Sequence, residues 1–210
     1  MDKHPYYIQS YCVIRGRSIR VNGKSLSTML PSAPLGDFLR SAYRLLDIDY
    51  PKFYKMDGLC KAIFIAAELM ARESGPYESN TALVFSNRSS SYLSDSRHAI
   101  GIFDTTNPVA SPATFVYTLP NIAMGELSIR HQLQSENVFF IFDSYLPEFL
   151  VPYTDAVLDN ERTRSVLCGW TEITEQTCDL MLYHIGHVGT TTGRLHTIEQ
   201  LKRLYNEEDE

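Results

Sequence analysis

Apolar and polar positions follow two different rhythms along this chain. Residues Tyr7 to Arg15 (YIQSYCVIR) are rich in β-branched and aromatic side chains, and Gly16 and Asn22-Gly23 punctuate the residues after them as turns, which predicts a strand or hairpin. Pro34-Leu35-Gly36 then precede a segment in which Phe38, Ala42, Leu45 and Leu46 recur at helical spacing behind Asp37, a residue able to cap a helix. Asp57 stands in the same relation to Gly58 to Arg72, where Leu59, Ile63, Ala66, Ala67 and Met70 share one face with Cys60, Phe64 and Ala71 beside it. That helix is too apolar for a free surface position and is expected to be buried. Gly75-Pro76 ends it, and Thr81 to Ser86 is a continuous apolar run of the kind a strand covered on both faces shows.

Ser86 to Ser96 (SNRSSSYLSDS) reads as a polar loop, and the prolines at 108, 112 and 120 favour an irregular path from Asn107 to Leu119. Asn121 can open a helix that runs through Leu133. Val138 to Phe142 is the most hydrophobic strand in the chain. Asp143-Ser144 follows at once, with either residue a good cap and Pro147 allowed in the first turn of a helix that continues through Phe149, Leu150, Tyr153, Ala156 and Val157. Pro152 is expected to kink or delay that helix. Ser165 to Gly169 and Leu180 to Ile185 are two further strands. Gly186, Gly189 and Gly193 with Thr190 to Thr192 form a loop without the Lys of a phosphate-binding loop, and Ile198 to Tyr205 is a closing helix before an acidic, frayed tail. Strands alternating with helices predict an α/β sheet covered on both faces, and the absence of a Gly/Ser/Pro linker or repeat predicts a single domain over residues 1–210.

Composition narrows the partners. A net charge of −6 with only 21% charged residues lacks the cationic surplus that neutralises phosphates, so nucleic acid is excluded as a partner. No stretch approaches the roughly 20 apolar residues of a membrane span, and the polar start has no signal-peptide core, which points to the cytoplasm. Cys12, Cys60, Cys168 and Cys178 are scattered singly in apolar surroundings and read as buried thiols. His184 and His187 are spaced to present two nitrogens if the chain turns at Gly186, but no neighbouring Cys or carboxylate completes a ligand set, so they read as a hydrogen-bonded strand-end pair and no metal is expected. His98 and His131 stand alone. Arg15, Arg17, Arg20 and Lys24 form a basic run that reads either as a solvated hairpin face or as a surface that steers an acidic partner.

Several local features, in order, resemble the N-terminal half of the β-ketoacyl-acyl-carrier-protein synthases, the condensing enzymes of the thiolase fold. Lys55-Met56-Asp57 with its Ala-rich helix resembles that family's first buried helix. Ser111-Pro112-Ala113-Thr114-Phe115, Thr118 to Asn121 and Gly125 to Ile129 resemble its SPxxFxxxxPNxxxGxxxI segment. Val138 to Phe142 resembles the strand before the nucleophile, and Ser165 to Glu172 (SVLCGWTE) the strand that ends in Gly-Gly-x-Glu. The resemblance covers a little over half of the chain. It implies half of a thiolase-like fold, a mixed sheet with helices on both faces.

Counting back from Gly169 along the family pattern puts the active-site cysteine position at Ser144. A serine hydroxyl has a far higher pKa than a thiol and needs an adjacent base to act as a nucleophile. The flanks Phe142-Asp143-Ser144-Tyr145-Leu146 also lack the Gly-x-Ser-x-Gly of a hydrolase elbow. The family's catalytic histidines belong to a C-terminal half that a chain of this length is not expected to contain, and Trp170, in place of a family glycine, is expected to fill space left open in active synthases. The resemblance therefore implies a non-catalytic, chain-length-type accessory subunit of fatty-acid, polyketide or aryl-polyene-type biosynthesis, with no catalytic residue and no cofactor. Its expected partners are a complete ketosynthase, a second copy of itself, or an acyl carrier protein. The alternatives are a 3-oxoacyl-carrier-protein synthase completed by a partner chain, and a Ser144-dependent acyltransferase or hydrolase.

Overall fold

The computed structural model describes residues 5–26, 33–108, 110–187 and 193–207. Strands β1 (Tyr7–Arg15), β2 (Ser18–Val21) and β3 (Lys24–Leu26) form an antiparallel meander. Its turns sit where the sequence placed them, and Gly16, Asn22 and Gly23 take the positive φ angles, 59°, 52° and 83°, that tight connections require. Helix α1 (Leu35–Arg44) starts behind Pro34, so Asp37 lies in the first turn, where it meets the helix dipole, and is not the cap. A 3-10 turn at Pro51–Lys55 leads to α2 (Gly58–Ser74). Here the Asp57 side chain does cap, accepting the Cys60 N–H at 2.9 Å, and Gly75 ends the helix with φ of 92°.

All seven residues of β4 (Thr81–Asn87) are buried. The predicted loop after it is cut short by α3 (Tyr92–Phe103), and the proline-rich stretch folds into a short helix α4 (Pro112–Val116), with Ser111 as cap and Pro112 in the permitted first turn. Helix α5 (Ile122–His131) precedes β5 (Asn137–Ile141), and α6 (Pro147–Leu158) follows. Pro152 neither delays nor ends α6. The helix runs through it, with Leu150 and Leu158 buried beneath and the Thr154 hydroxyl bonding back to the Leu150 carbonyl at 2.7 Å. Strands β6 (Ser165–Ile173) and β7 (Cys178–Gly186) are both longer than predicted, and α7 (Ile198–Asn206) closes the chain behind a Thr197 cap. The Gly189 to Thr192 stretch and the last three residues of the acidic tail lie outside the described residues.

The seven strands form one mixed sheet in the order β3-β2-β1-β7-β6-β4-β5. β4 runs parallel to β5 and β6, whereas β7 runs antiparallel to β6 and β1. Alternation along the strands divides the core into two layers. Leu83, Phe85, Leu167, Leu180 and Leu182 pack against α1, α2 and α5. Ala82, Val84, Val166, Cys168, Met181 and Tyr183 face α6 and α7. At Gly169 a Cβ would come within 2.1 Å of the Met181 carbonyl oxygen, so the approach of β6 to β7 admits no side chain there.

Candidate functional site

β5 occupies the edge of the sheet, so its outer backbone groups have no strand partner among the described residues. It is poorly covered for such an apolar strand: its three central residues are half-buried and Ile141 is 51% exposed. On one face Phe140 and Phe142 form a ring cluster with Phe149 and Tyr153 of α6, at centroid distances of 5.0 to 5.8 Å. Leu146 and Phe149 extend this apolar surface into solvent.

The loop from Phe142 to Leu146 joins this edge to α6 and carries Ser144, which is exposed and whose hydroxyl has no hydrogen-bond partner among the described residues. Neither Asp143 nor Ser144 caps the helix; Leu146 occupies the cap position without a side-chain bond. The loop is anchored by Tyr145, whose ring lies between Tyr205 of α7, at 4.6 Å, and Trp170 of β6, at 6.5 Å. Trp170 is buried, and its ring faces Tyr145 of the loop that carries Ser144.

The groups that could activate Ser144 are elsewhere. His196 Nδ1 pairs with Asp155 at 3.0 Å, a His–carboxylate dyad the sequence did not reveal because its members lie on α6 and ahead of α7. Asp155 lies eight residues beyond Pro147, which at 1.5 Å per residue is about 12 Å along α6 from the serine loop. The dyad's other nitrogen, Nε2, is buried without a partner among the described residues. No described thiol substitutes for the hydroxyl. All four cysteines are buried and unpaired, and burial raises each of their pKa values, that of Cys168 to about 12.

The remaining candidates serve the fold. Half-buried His184 is not hydrogen-bonded as expected; its ring stands edge-on to Tyr77 at 5.1 Å, and desolvation lowers its pKa to about 4. His187 packs edge-on against Tyr6. No group of three metal-ligating residues occurs among the described residues. His131 is not solitary, lying 3.1 Å from Glu68 beside Arg130, and His98 packs near the Phe115 ring. In the basic run, Arg15 pairs with Asp179 at 3.3 Å, Arg17 donates to the carbonyls of Ala33 and Gln176, and Arg20 donates to the Glu207 carbonyl, which leaves only Lys24 fully solvated. Glu172, the last residue of the SVLCGWTE strand, has a role the sequence did not disclose. Its carboxylate accepts the Arg88 and Ser89 N–H groups at 2.9 and 3.1 Å and the Ser89 hydroxyl, fastening the β4–α3 loop to the end of β6.

No family model matches the sequence and no curated protein matches it. Solved structures do match the fold. The chain superposes on the ishigamide ketosynthase/chain length factor with a TM-score of 0.61 at 12% identity, covering 87% of this chain and 62% of that one. The fold is the thiolase-like fold of the ketosynthases. A ketosynthase in complex with its chain length factor from Xenorhabdus doucetiae gives a TM-score of 0.56 at 14% identity, over 88% of this chain and 79% of that one. A type II polyketide acyl-carrier protein in complex with its ketosynthase gives 0.57 at 11%, over 88% and 63%. The chain thus spans less than two thirds of the first of these structures, and its mixed sheet with helices on both faces is the architecture the resemblance implied. No helix among the described residues is long and apolar enough to cross a membrane.

Proposed function

We propose that residues 1–210 form a single ketosynthase-like domain that works in the cytoplasm as a non-catalytic accessory subunit of the chain-length type, in fatty-acid, polyketide or aryl-polyene-type biosynthesis. The observation that carries this reading is the combination of a ketosynthase-like fold with an exposed serine, without a hydrogen-bond partner among the described residues, at the position that the sequence resemblance assigns to the nucleophile. A condensing reaction needs a thiolate to receive the acyl group, and a lone hydroxyl in water does not ionise near neutral pH. The open β5 edge with its apolar flank supports association with a ketosynthase-type chain or a second copy, because an unpaired strand is a template for pairing. Acyl carrier protein would reach the complex through the ketosynthase partner.

The test is co-expression with a complete ketosynthase followed by affinity purification and exposure to a radiolabelled acyl thioester and to a serine-reactive phosphonate. Co-elution with label confined to the synthase is the expected result. Label on this chain that disappears in Ser144→Ala would replace the accessory reading with an acyltransferase or hydrolase. Condensation that requires both chains and is abolished by Ser144→Ala would instead establish a synthase completed in trans.

A further inference from the structure

Helix α3 is built inside out. Of its twelve residues only Ser94 is fully buried, while Ile100 is 71% and Phe103 80% exposed. A surface helix normally turns its apolar residues to the core, so the outer face of α3 lacks the burial that stabilises such a helix. Ile102 and, on α4, Phe115, Val116 and Leu119 carry the apolar surface further, and the His98 ring of α3 lies 5.5 Å from that of Phe115. Together these six side chains expose on the order of 600 Å2, the upper end of what a monomer leaves bare and close to one side of a standard interface.

Charge along this surface is sparse and patterned. Between Arg97 and Arg130 the chain holds only two charged residues, Asp104 and Glu126, and Glu126 is buried against Lys52. Arg97 and Asp104 are exposed, and neither has an ion-pair partner among the described residues. Asp104 stays ionised, because hydrogen bonds from the Thr106 hydroxyl and from the Thr106 and Asn107 N–H groups hold its pKa below the ordinary value. At about 100° per residue, Ile100 and Phe103 lie on the side of α3 away from Ser94, and Arg97 and Asp104 line one flank of that side, two turns from each other. A parallel contact between two such helices would set like charges together. An antiparallel contact sets each Arg97 against the Asp104 of the other copy, the arrangement by which flanking charges fix the orientation of paired helices.

We propose that α3 pairs antiparallel with α3 of a second copy of this chain, about a two-fold axis between Ile100 and Gly101. The midpoint of Arg97 and Asp104 falls there, so one contact pairs both cations with both carboxylates while the two Ile100 side chains meet at the axis. Each Phe103 ring then falls between Ser96 and Ile100 of the other copy, and Ser96 is small enough to admit it. A chain of net charge −6 repels its copy elsewhere, so a nearly uncharged, self-complementary face is where the second copy approaches. The contact uses neither Ser144 nor the β5 edge, so its failure and that of the accessory-subunit reading are separate.

Cross-linking of the purified full chain with a short bis-maleimide tests it. Ile100→Cys places a thiol beside the axis, and the four native cysteines are buried. Covalent dimer should form at least about tenfold faster in Ile100→Cys than in Lys55→Cys, an exposed site on the 3-10 turn outside this face. Adding Arg97→Glu, which turns both ion pairs into repulsions, should slow it roughly tenfold, and adding Asp104→Arg to that should restore it. A link at residue 100 reports this contact whether or not the β5 edge is also engaged. All the substituted positions are exposed, and melting curves verify that each variant folds. Cross-linking of Ile100→Cys no faster than of Lys55→Cys, or a rate that Arg97→Glu leaves unchanged or that Asp104→Arg does not restore, would overturn the proposal.

Discussion

Replacing Glu68 by glutamine removes one charge from the contact between α2 and α5 and should flatten the acid limb of the stability curve. Glu68 is 8% exposed and receives two hydrogen bonds from Arg130, at 2.8 and 3.0 Å, with His131 at 3.1 Å. Burial alone would raise its pKa, but the contacts from His131 and Arg130 outweigh it and hold the carboxyl at about 2, against an ordinary value of 4.5. At about 1.36 kcal/mol per pKa unit, that gap corresponds to about 3 kcal/mol of folding stability. Because the folded-state pKa is depressed, this stability is fully present above 4.5 and is lost as pH falls from there to about 2. Urea unfolding of parent and Glu68→Gln across that window measures it as a difference in which the other carboxylates largely cancel. The parent should lose about 3 kcal/mol more than the variant between pH 5 and pH 2. Parallel curves for the two proteins would show that the cluster does not hold the carboxyl down, and the reasoning would fail.

Two further substitutions test other parts of the architecture. Gly169→Ala drives a methyl into the Met181 carbonyl and should cost about 4 kcal/mol or more, read as loss of soluble protein or of the cooperative melt, and a variant melting within a few degrees of the parent would refute the close strand approach. Ile141→Lys places a charge on the exposed β5 edge; it should leave the melting temperature unchanged and weaken association with the synthase or the second copy at least about tenfold in size-exclusion or sedimentation experiments, whereas undiminished association would move the interface elsewhere.

How much could be read from the sequence depended on whether the evidence was local. The range of β1, the Asp57 cap of α2 and the burial of all four cysteines follow from adjacent residues, and the structure places them as expected. Helix α3 was hidden because its apolar residues Ile100, Ile102 and Phe103 point to solvent and its start is rich in serine, so no buried stripe marks it. Pro152 does not delay α6, because that helix is held by packing on the sheet as well as by its own hydrogen bonds. The position of Ser144 just after a strand was legible, but that strand's place at the sheet edge and the packing of Tyr145 between Trp170 and Tyr205 were not, since both depend on segments distant in the chain.

The pairing of β1 with β7 has a consequence for how the chain is made. Arg15 lies opposite Asp179, 164 residues later, so the first strand leaves the ribosome long before its neighbour exists. At about 5–20 residues per second, translation leaves Tyr11, Val13 and Ile14 without their sheet partner for about ten to thirty seconds. The hairpin with β2 shelters one edge meanwhile, and the other stays open to chaperones or to a neighbouring nascent chain.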